Sequence, residues 1–289
     1  MPPAIARWPA GSWGCWSWWP EAWRPLAAAL IRLTKELCLL GALEHFHIQP
    51  IIDLASGSIC GGEVLWRPND AQPTADDIQA LEDDAGLNIS VTQDSFVFAL
   101  RALDRMPANL WLSVNLSCQY IGSGKMFFRP ISKTVMDLEC LRRRVGRRLV
   151  VEVTEARVAG EHELAFIHEL TALHTIAVDD FGSGDAPLSH MLNLDFSKVK
   201  LDRSIVSGVD ADCFRQRFVK WLVAGCHAIG ADVCAEGVET ESEATFLSRS
   251  GVNQGQGWLW SKAIPAEEFE SLVIAQAQPQ AQPQALVTT

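Results

Sequence analysis

The feature that most constrains this chain is an alternation. Eight short apolar runs of strand length follow one another: "FHIQPII" (46–52), "GEVLWR" (62–67), "LWLSVNLS" (110–117), "LVVEVTE" (149–155), "TIAVDDFG" (175–182), "FSKVKLD" (196–202), "DVCAEGVE" (232–239) and "GQGWLW" (255–260). Stretches of helical spacing separate most of them, at 75–85, 92–105, 130–144, 161–173, 211–229 and 240–250, with a last one near 265–275. Strands that alternate with helices build a parallel sheet, because each helix buries its apolar stripe against the strands it connects. Eight such units predict a single α/β barrel, with a doubly wound open sheet as the alternative. No GxGxxG follows the first strand and no P-loop is present, so neither common nucleotide-binding fingerprint supports the open sheet.

The two ends do not share the alternation. Six of the eleven tryptophans fall in the first 23 residues, in "RWPAGSWGCWSWWPEAW". The stretch has no apolar period, lacks the build of a signal peptide, and is too short and broken to span a bilayer. An irregular extension over 1–25 is the expectation; interfacial contact through tryptophan is the alternative. Leu26, Leu30, Leu33, Leu37 and Leu40 then mark one helix face, read as packing onto the domain. The barrel domain is expected over 26–274, and "AQAQPQAQPQALVTT" (275–289) as a disordered Gln/Pro/Ala tail. The 289 residues are 48% hydrophobic, enough for one large core. A formal net charge of -11 argues against a nucleic acid polymer or an anionic membrane as partner. The eight cysteines form no CxxC pair and are read as reduced thiols of a cytoplasmic protein.

Within the alternation, each run turns polar toward its carboxyl end. Glu63 follows two glycines in the second run, and Asn115 lies in the third. Glu152 and Glu155 lie in the fourth, Asp179 and Asp180 in the fifth, Lys200 and Asp202 in the sixth, Glu236 and Glu239 in the seventh, and Gln256 in the eighth. In a barrel these positions converge on one mouth, where active sites are assembled from several strand ends. Any one of them alone reads as a solvated strand end. Carboxylates gathered together repel instead: at about 4 Å and an effective dielectric of about 20, each like-charged pair costs about 4 kcal/mol. Divalent cations remove that cost, and all-oxygen ligands select hard ions, Mg²⁺ or Mn²⁺. Glu63 is therefore read as a metal ligand placed at a strand end. Two clustered cations suit hydrolysis at phosphorus. Lys200 among the acids either assists the attacking water and the phosphoryl oxygens or serves as a counter-ion.

The pieces "IQPIIDLASGSICGGEVLWR", "LSVNLS", "VEVTE", "IAVDDFGSG", "VKLDRS", "VCAEGVET" and "GQGWLWSKAIP", in this order, resemble the EAL-domain family of cyclic-di-GMP phosphodiesterases. The resemblance implies a modified TIM (β/α)8 barrel with an antiparallel first strand, and hydrolysis of cyclic di-GMP to linear pGpG with two divalent cations, Mg²⁺ or Mn²⁺. It implies metal ligation by Glu63, Asn115, Glu152, Asp179, Asp180 and Glu236, with Asp179 able to bridge both ions. Lys200 and Gln256 match residues at the catalytic water, and Glu155 matches the glutamate that holds the loop after "DDFG". Gln49, Leu65, Arg67 and Asp202 match substrate-contacting positions. A homodimer is left open, and membrane contact is not expected.

The match is imperfect. The name motif reads Glu63-Val64-Leu65, with valine for alanine, and the loop after "DDFG" carries Asp185, Ala186 and Pro187 in place of an aromatic and two hydroxyl residues. The segment after Arg67 is short, and Ala263 stands where the family has proline. A receptor or partner-binding regulator that binds cyclic di-GMP without turnover is the alternative function.

Overall fold

The computed structural model describes residues 45–68, 71–116, 140–154, 161–182 and 194–277. These lie in a compact unit that begins at Leu43. The tryptophan-rich start, the leucine repeat of 26–40, most of the helix expected at 130–144, the loop carrying Asp185–Pro187 and the chain from 278 onward lie outside the described residues.

Strands β1 (Phe46–Asp53), β2 (Ile59–Trp66), β3 (Trp111–Asn115), β4 (Leu149–Thr154), β5 (Thr175–Phe181), β6 (Lys198–Leu201), β7 (Asp232–Ala235) and β8 (Gln254–Gly255) pair in that order, and β8 pairs back onto β1. The ring is closed, which excludes the open sheet. Strands β2 to β8 run parallel, and β1 is antiparallel to both its neighbours. The reason for the reversed strand is local. Only Leu54–Ser58 joins β1 to β2, far too short for a parallel crossover. Asp53 locks that turn: its Oδ1 accepts from the Ser56 N–H and hydroxyl, both at 2.7 Å. The fold is a modified TIM barrel with an antiparallel first strand.

Helices α1 (Ala75–Asp83), α2 (Ala85–Arg105), α3 (Glu161–Thr171), α4 (Arg203–Val206), α5 (Cys213–Ala228), α6 (Glu241–Arg249) and α7 (Ala266–Ala277) surround the ring. Most begin at a residue whose side chain accepts from the first-turn N–H groups: Thr74, Asp84, Asp202, Asp212 and Thr240. Asp84 starts α2 seven residues before the apolar period becomes visible at 92, and it separates α2 from α1. The core lies between strands and helices. Phe96, Leu100 and Leu103 of α2 cluster with Leu112, Val114, Leu149 and Val151, and Val219, Val223 and Leu247 cluster with Val178, Val199 and Val233.

Three expectations are corrected. Strands β7 and β8 stop at Ala235 and Gly255, earlier than their apolar runs. The chain turns there because it crosses itself: a Cβ on Gly257 would lie 2.0 Å from the Val238 carbonyl oxygen. A short strand β9 (Ile264–Pro265), not expected from the sequence, pairs with β1 at His47 and Ile48. Helix α7 continues to Ala277, into the stretch read as a tail, because the Gln276 amide exchanges two 2.8 Å hydrogen bonds with the backbone of Ile59. Among the described residues, no helix is long and apolar enough to cross a membrane.

Candidate active site

Parallel register decides which side chains meet. Glu63 pairs with Ser113, Asn115 with Glu152, Glu152 with Ala177 (two residues before Asp179), and Lys200 with Cys234, so the inward positions climb from strand to strand. Because β1 runs the other way, Gln49 lies opposite Glu63 in the same row. Glu63 is not at a strand end: it is the fifth residue of β2, whose last residues are still paired with Phe46–Ile48. Glu236 and Gln256 stand one residue past β7 and β8. Their backbone N–H groups bond the Leu201 and Ala235 carbonyls, which holds both on the barrel rim.

Asp179 and Asp180 are consecutive, and a regular strand would point them to opposite faces. The β5–β6 pairing is irregular between Val178 and Phe181, and Asp180 has φ 54°. Left-handed backbone is costly for most residues, but aspartate tolerates it. The irregularity turns both carboxyl groups toward the mouth. One carboxylate oxygen each from Asp179, Asp180 and Glu236 lies within 4.8 Å of the others.

Lys200 is the centre of charge. It is 3% exposed, and its Nζ lies 2.6 Å from Glu236, 2.9 Å from Glu152, 3.1 Å from Asp179 and 3.3 Å from Glu63. An ammonium has three protons, and four carboxylates surround this one. Nζ donates to Glu63 Oε2 and Glu152 Oε2, whereas Asp179 Oδ1 is buried and meets it as an ion pair without a hydrogen bond. Burial disfavours the Lys200 charge, but the four carboxylates, Asp179 foremost, hold its pKa well above the ordinary value. The acids divide. Burial would raise Glu63, yet Lys200, Gln256 and Asn115 outweigh it and its pKa is lowered. Burial raises Glu152 well above the carboxylate range. It also raises Asp180, with Asp179 adding to the effect, and pushes Glu236 up to about 8. The cluster is short of positive charge. A buried carboxylate oxygen without a hydrogen bond and an all-oxygen donor set fit a hard divalent cation at Asp179, Asp180 and Glu236, beside Glu63, Asn115 and Glu152.

A hydrogen-bonded chain orders the other wall. Gln49 Nε2 donates to the Ser261 carbonyl at 3.1 Å, and Gln256 Nε2 donates to Gln49 Oε1 at 3.1 Å and to Glu63 Oε2 at 2.7 Å. Asn115 Nδ2 donates to Glu63 Oε1 at 3.0 Å. Gln256 Oε1 is buried and accepts nothing.

A cavity of about 340 Å³ opens at this mouth, lined among others by Gln49, Leu65, Gln256, Arg203, Glu239 and Trp258. Leu65 is among the lining residues. Arg67 is buried, donates from Nη1 to the Trp66 carbonyl at 2.8 Å, and is not part of the lining. Asp202 caps α4 through the Ser204 N–H at 2.9 Å and is likewise outside the lining. Glu155 lies outside the described residues. Arg203 and Trp258 were not singled out from the sequence; the only signal was their place beside "VKLD" and "GQG".

A model of the EAL domain matches residues 41–263. The probable cyclic di-GMP phosphodiesterase PdeB of Escherichia coli (strain K12) is 29% identical over 235 residues, which cover 77% of this chain and 43% of PdeB. This chain spans a third to a half of the length of such curated relatives. Among solved structures, the MucR phosphodiesterase of Pseudomonas aeruginosa in its c-di-GMP complex superposes with TM-score 0.63 at 28% identity, covering 78% of this chain and 93% of that one. Klebsiella pneumoniae BlrP1, in a manganese/cyclic di-GMP complex, superposes with TM-score 0.63 at 25% identity, covering 76% of this chain and 56% of that one. With the reversed first strand, the acids around one lysine and the family model all covering the same span, this chain belongs to the EAL domain family.

Proposed function

We propose that the chain is a cytoplasmic, metal-dependent phosphodiesterase that hydrolyses one phosphodiester bond of cyclic di-GMP to give linear pGpG. The observation that carries the reading is the charge imbalance at Lys200, where four carboxylates share one ammonium beside an open cavity. The relatives named as cyclic di-GMP phosphodiesterases support the substrate.

Mg²⁺ or Mn²⁺ held by Asp179, Asp180 and Glu236, with Glu63, Asn115 and Glu152 adjoining, would supply Lewis-acid stabilisation of charge at phosphorus. The rest of the chemistry falls to the chain. Lys200 keeps its proton and donates toward a phosphoryl oxygen or an attacking water. Gln256 has both contacts of its amide nitrogen committed, so its orphaned Oε1 is the acceptor that orients the water. Leu65 gives the cavity an apolar wall.

The test is incubation of the purified chain with cyclic di-GMP and Mg²⁺ or Mn²⁺, with the nucleotides resolved by chromatography. Linear pGpG is the expected product, and its formation stops when the metal is chelated. Tight binding without product would make the chain a receptor instead.

A further inference from the structure

The mouth of the cavity holds a cation that this chemistry leaves unused. Among the described residues that line it, the cations are Lys200 and Arg203; the rest of the charge is acidic. Lys200 is buried among four carboxylates and already assigned to the reacting centre. Arg203 differs on both counts. Its side chain is 57% exposed, and Nη2 pairs with Glu239 Oε1 at 2.6 Å, itself on the rim. Its stem is not free to wander. Gly237 has φ 64°, and a Cβ there would lie 2.6 Å from Arg203 Cγ, so the aliphatic part lies directly across the glycine backbone next to Glu236. Trp258 lines the same rim and is 57% exposed.

A cyclic dinucleotide brings two phosphodiester anions to a mouth rich in carboxylates. Cleaving one at the metal site leaves the other to be neutralised at the rim. A guanidinium suits that task, because its planar fork donates two parallel hydrogen bonds to phosphate oxygens. The existing pair with Glu239 is no obstacle, since exposed ion pairs contribute little and exchange readily.

We infer that Arg203 is a substrate-binding residue that releases Glu239 and takes the non-reacting phosphate of the dinucleotide. The inference rests on cyclic di-GMP being the substrate. Gly237 serves it by leaving room for the stem, so the guanidinium is placed before the ligand arrives.

The test uses the full chain, wild type against Arg203→Gln and Arg203→Lys. Glutamine keeps a stem over Gly237 without the charge, and lysine keeps the charge without the fork. With Mn²⁺ and cyclic di-GMP, Arg203→Gln should raise KM about tenfold or more, the effect of one lost charge-assisted contact, while kcat stays within about threefold. Arg203→Lys should recover part of the loss. The rise of KM with added salt should become shallower in Arg203→Gln, because one screened attraction has gone. Unchanged KM, a fall confined to kcat, or an unchanged salt dependence would overturn the assignment. If the wild type binds the nucleotide without turning it over, hydrolysis falls, and the same comparisons are made on Kd by equilibrium dialysis, with the same criteria. A wild type that neither binds nor hydrolyses cyclic di-GMP overturns both readings.

Discussion

Lys200 holds one charge against Glu63, Glu152, Asp179 and Glu236, and two substitutions separate what that arrangement does. Lys200→Ala removes the donor nearest the reacting centre, so kcat at saturating metal and substrate should fall by about 10²-fold or more. A near-wild-type kcat, with metal affinity level or higher, would leave Lys200 a counter-ion. Asp179→Asn acts in the opposite sense on stability. Asp179 Oδ1 accepts no hydrogen bond and faces three other carboxylates across one ammonium, so the metal-free protein should gain stability, on the order of 1 kcal/mol and a few degrees in Tm. The same change removes a proposed ligand, and Mn²⁺ should then raise Tm less than it does in the wild type. Paired melting curves with and without Mn²⁺ check both halves; an unchanged Mn²⁺ response would remove Asp179 from the ligand set.

At the scale of elements, the loop between β7 and α6 carries Glu236, Gly237 and Glu239 to the mouth, and Glu243 holds it. Glu243 is buried, and its carboxylate accepts from the N–H groups of Gly208 at 2.8 Å and of Glu239 and Thr240 at 3.0 Å each. Burial alone would raise its pKa, but the three N–H donors outweigh burial and lower it. Thr240 completes the reciprocal cap by accepting from the Glu243 N–H. Glu243→Ala leaves those donors unmet and should cost about 1–3 kcal/mol. Hydrogen exchange should speed at Gly208, Glu239 and Thr240 ahead of the barrel strands, and protection unchanged at those three amides would show that the cap does not hold the loop. The elements themselves are readable in the sequence where period and burial coincide, as in β4, whose "LVVEV" is buried throughout, Glu152 included. They are less readable where caps decide. Asp84 begins α2 in a stretch with no apolar period, and Gly257 ends the eighth run through a close crossing with Val238 that no local pattern announces.

Over the whole molecule, the barrel is a packed core and not a pore, and its thiols report on that. Cys234 shares the inward row with Lys200 and is 2% exposed; burial holds its pKa well above the usual thiol value. Burial likewise pushes Cys60 up to about 11, whereas Cys140 and Cys213 are exposed. Only the thiolate is alkylated, so at pH 8 a thiol with pKa near 11 is ionised in roughly one molecule per thousand. Brief treatment of the folded protein with iodoacetamide at pH 8 should label Cys140 and Cys213 and spare Cys60 and Cys234, with labelling of Cys60 growing as pH rises toward 11. Mass spectrometry of the cysteine peptides checks this, and equal labelling of Cys60 and Cys213 at pH 8 would show that the barrel is open there.

What the sequence determined by itself is the barrel and the acids at its mouth. Alternating strand and helix periods admit few closed architectures, and Glu63, Glu152, Asp179, Lys200 and Gln256 are each visible as a polar residue set into an apolar run, where burial is costly without a reason. The tertiary structure decided the rest. Closure of the ring brings β8 next to β1, so that Gln49 and Gln256, 207 residues apart, share a hydrogen bond beside Glu63. The irregular pairing at Asp180 turns two consecutive acids to one side, and the turn at Gly237 lays Arg203 across the rim in place of Asp202. Those outcomes depend on register and on close approach between distant strands, which residue spacing along the chain does not encode.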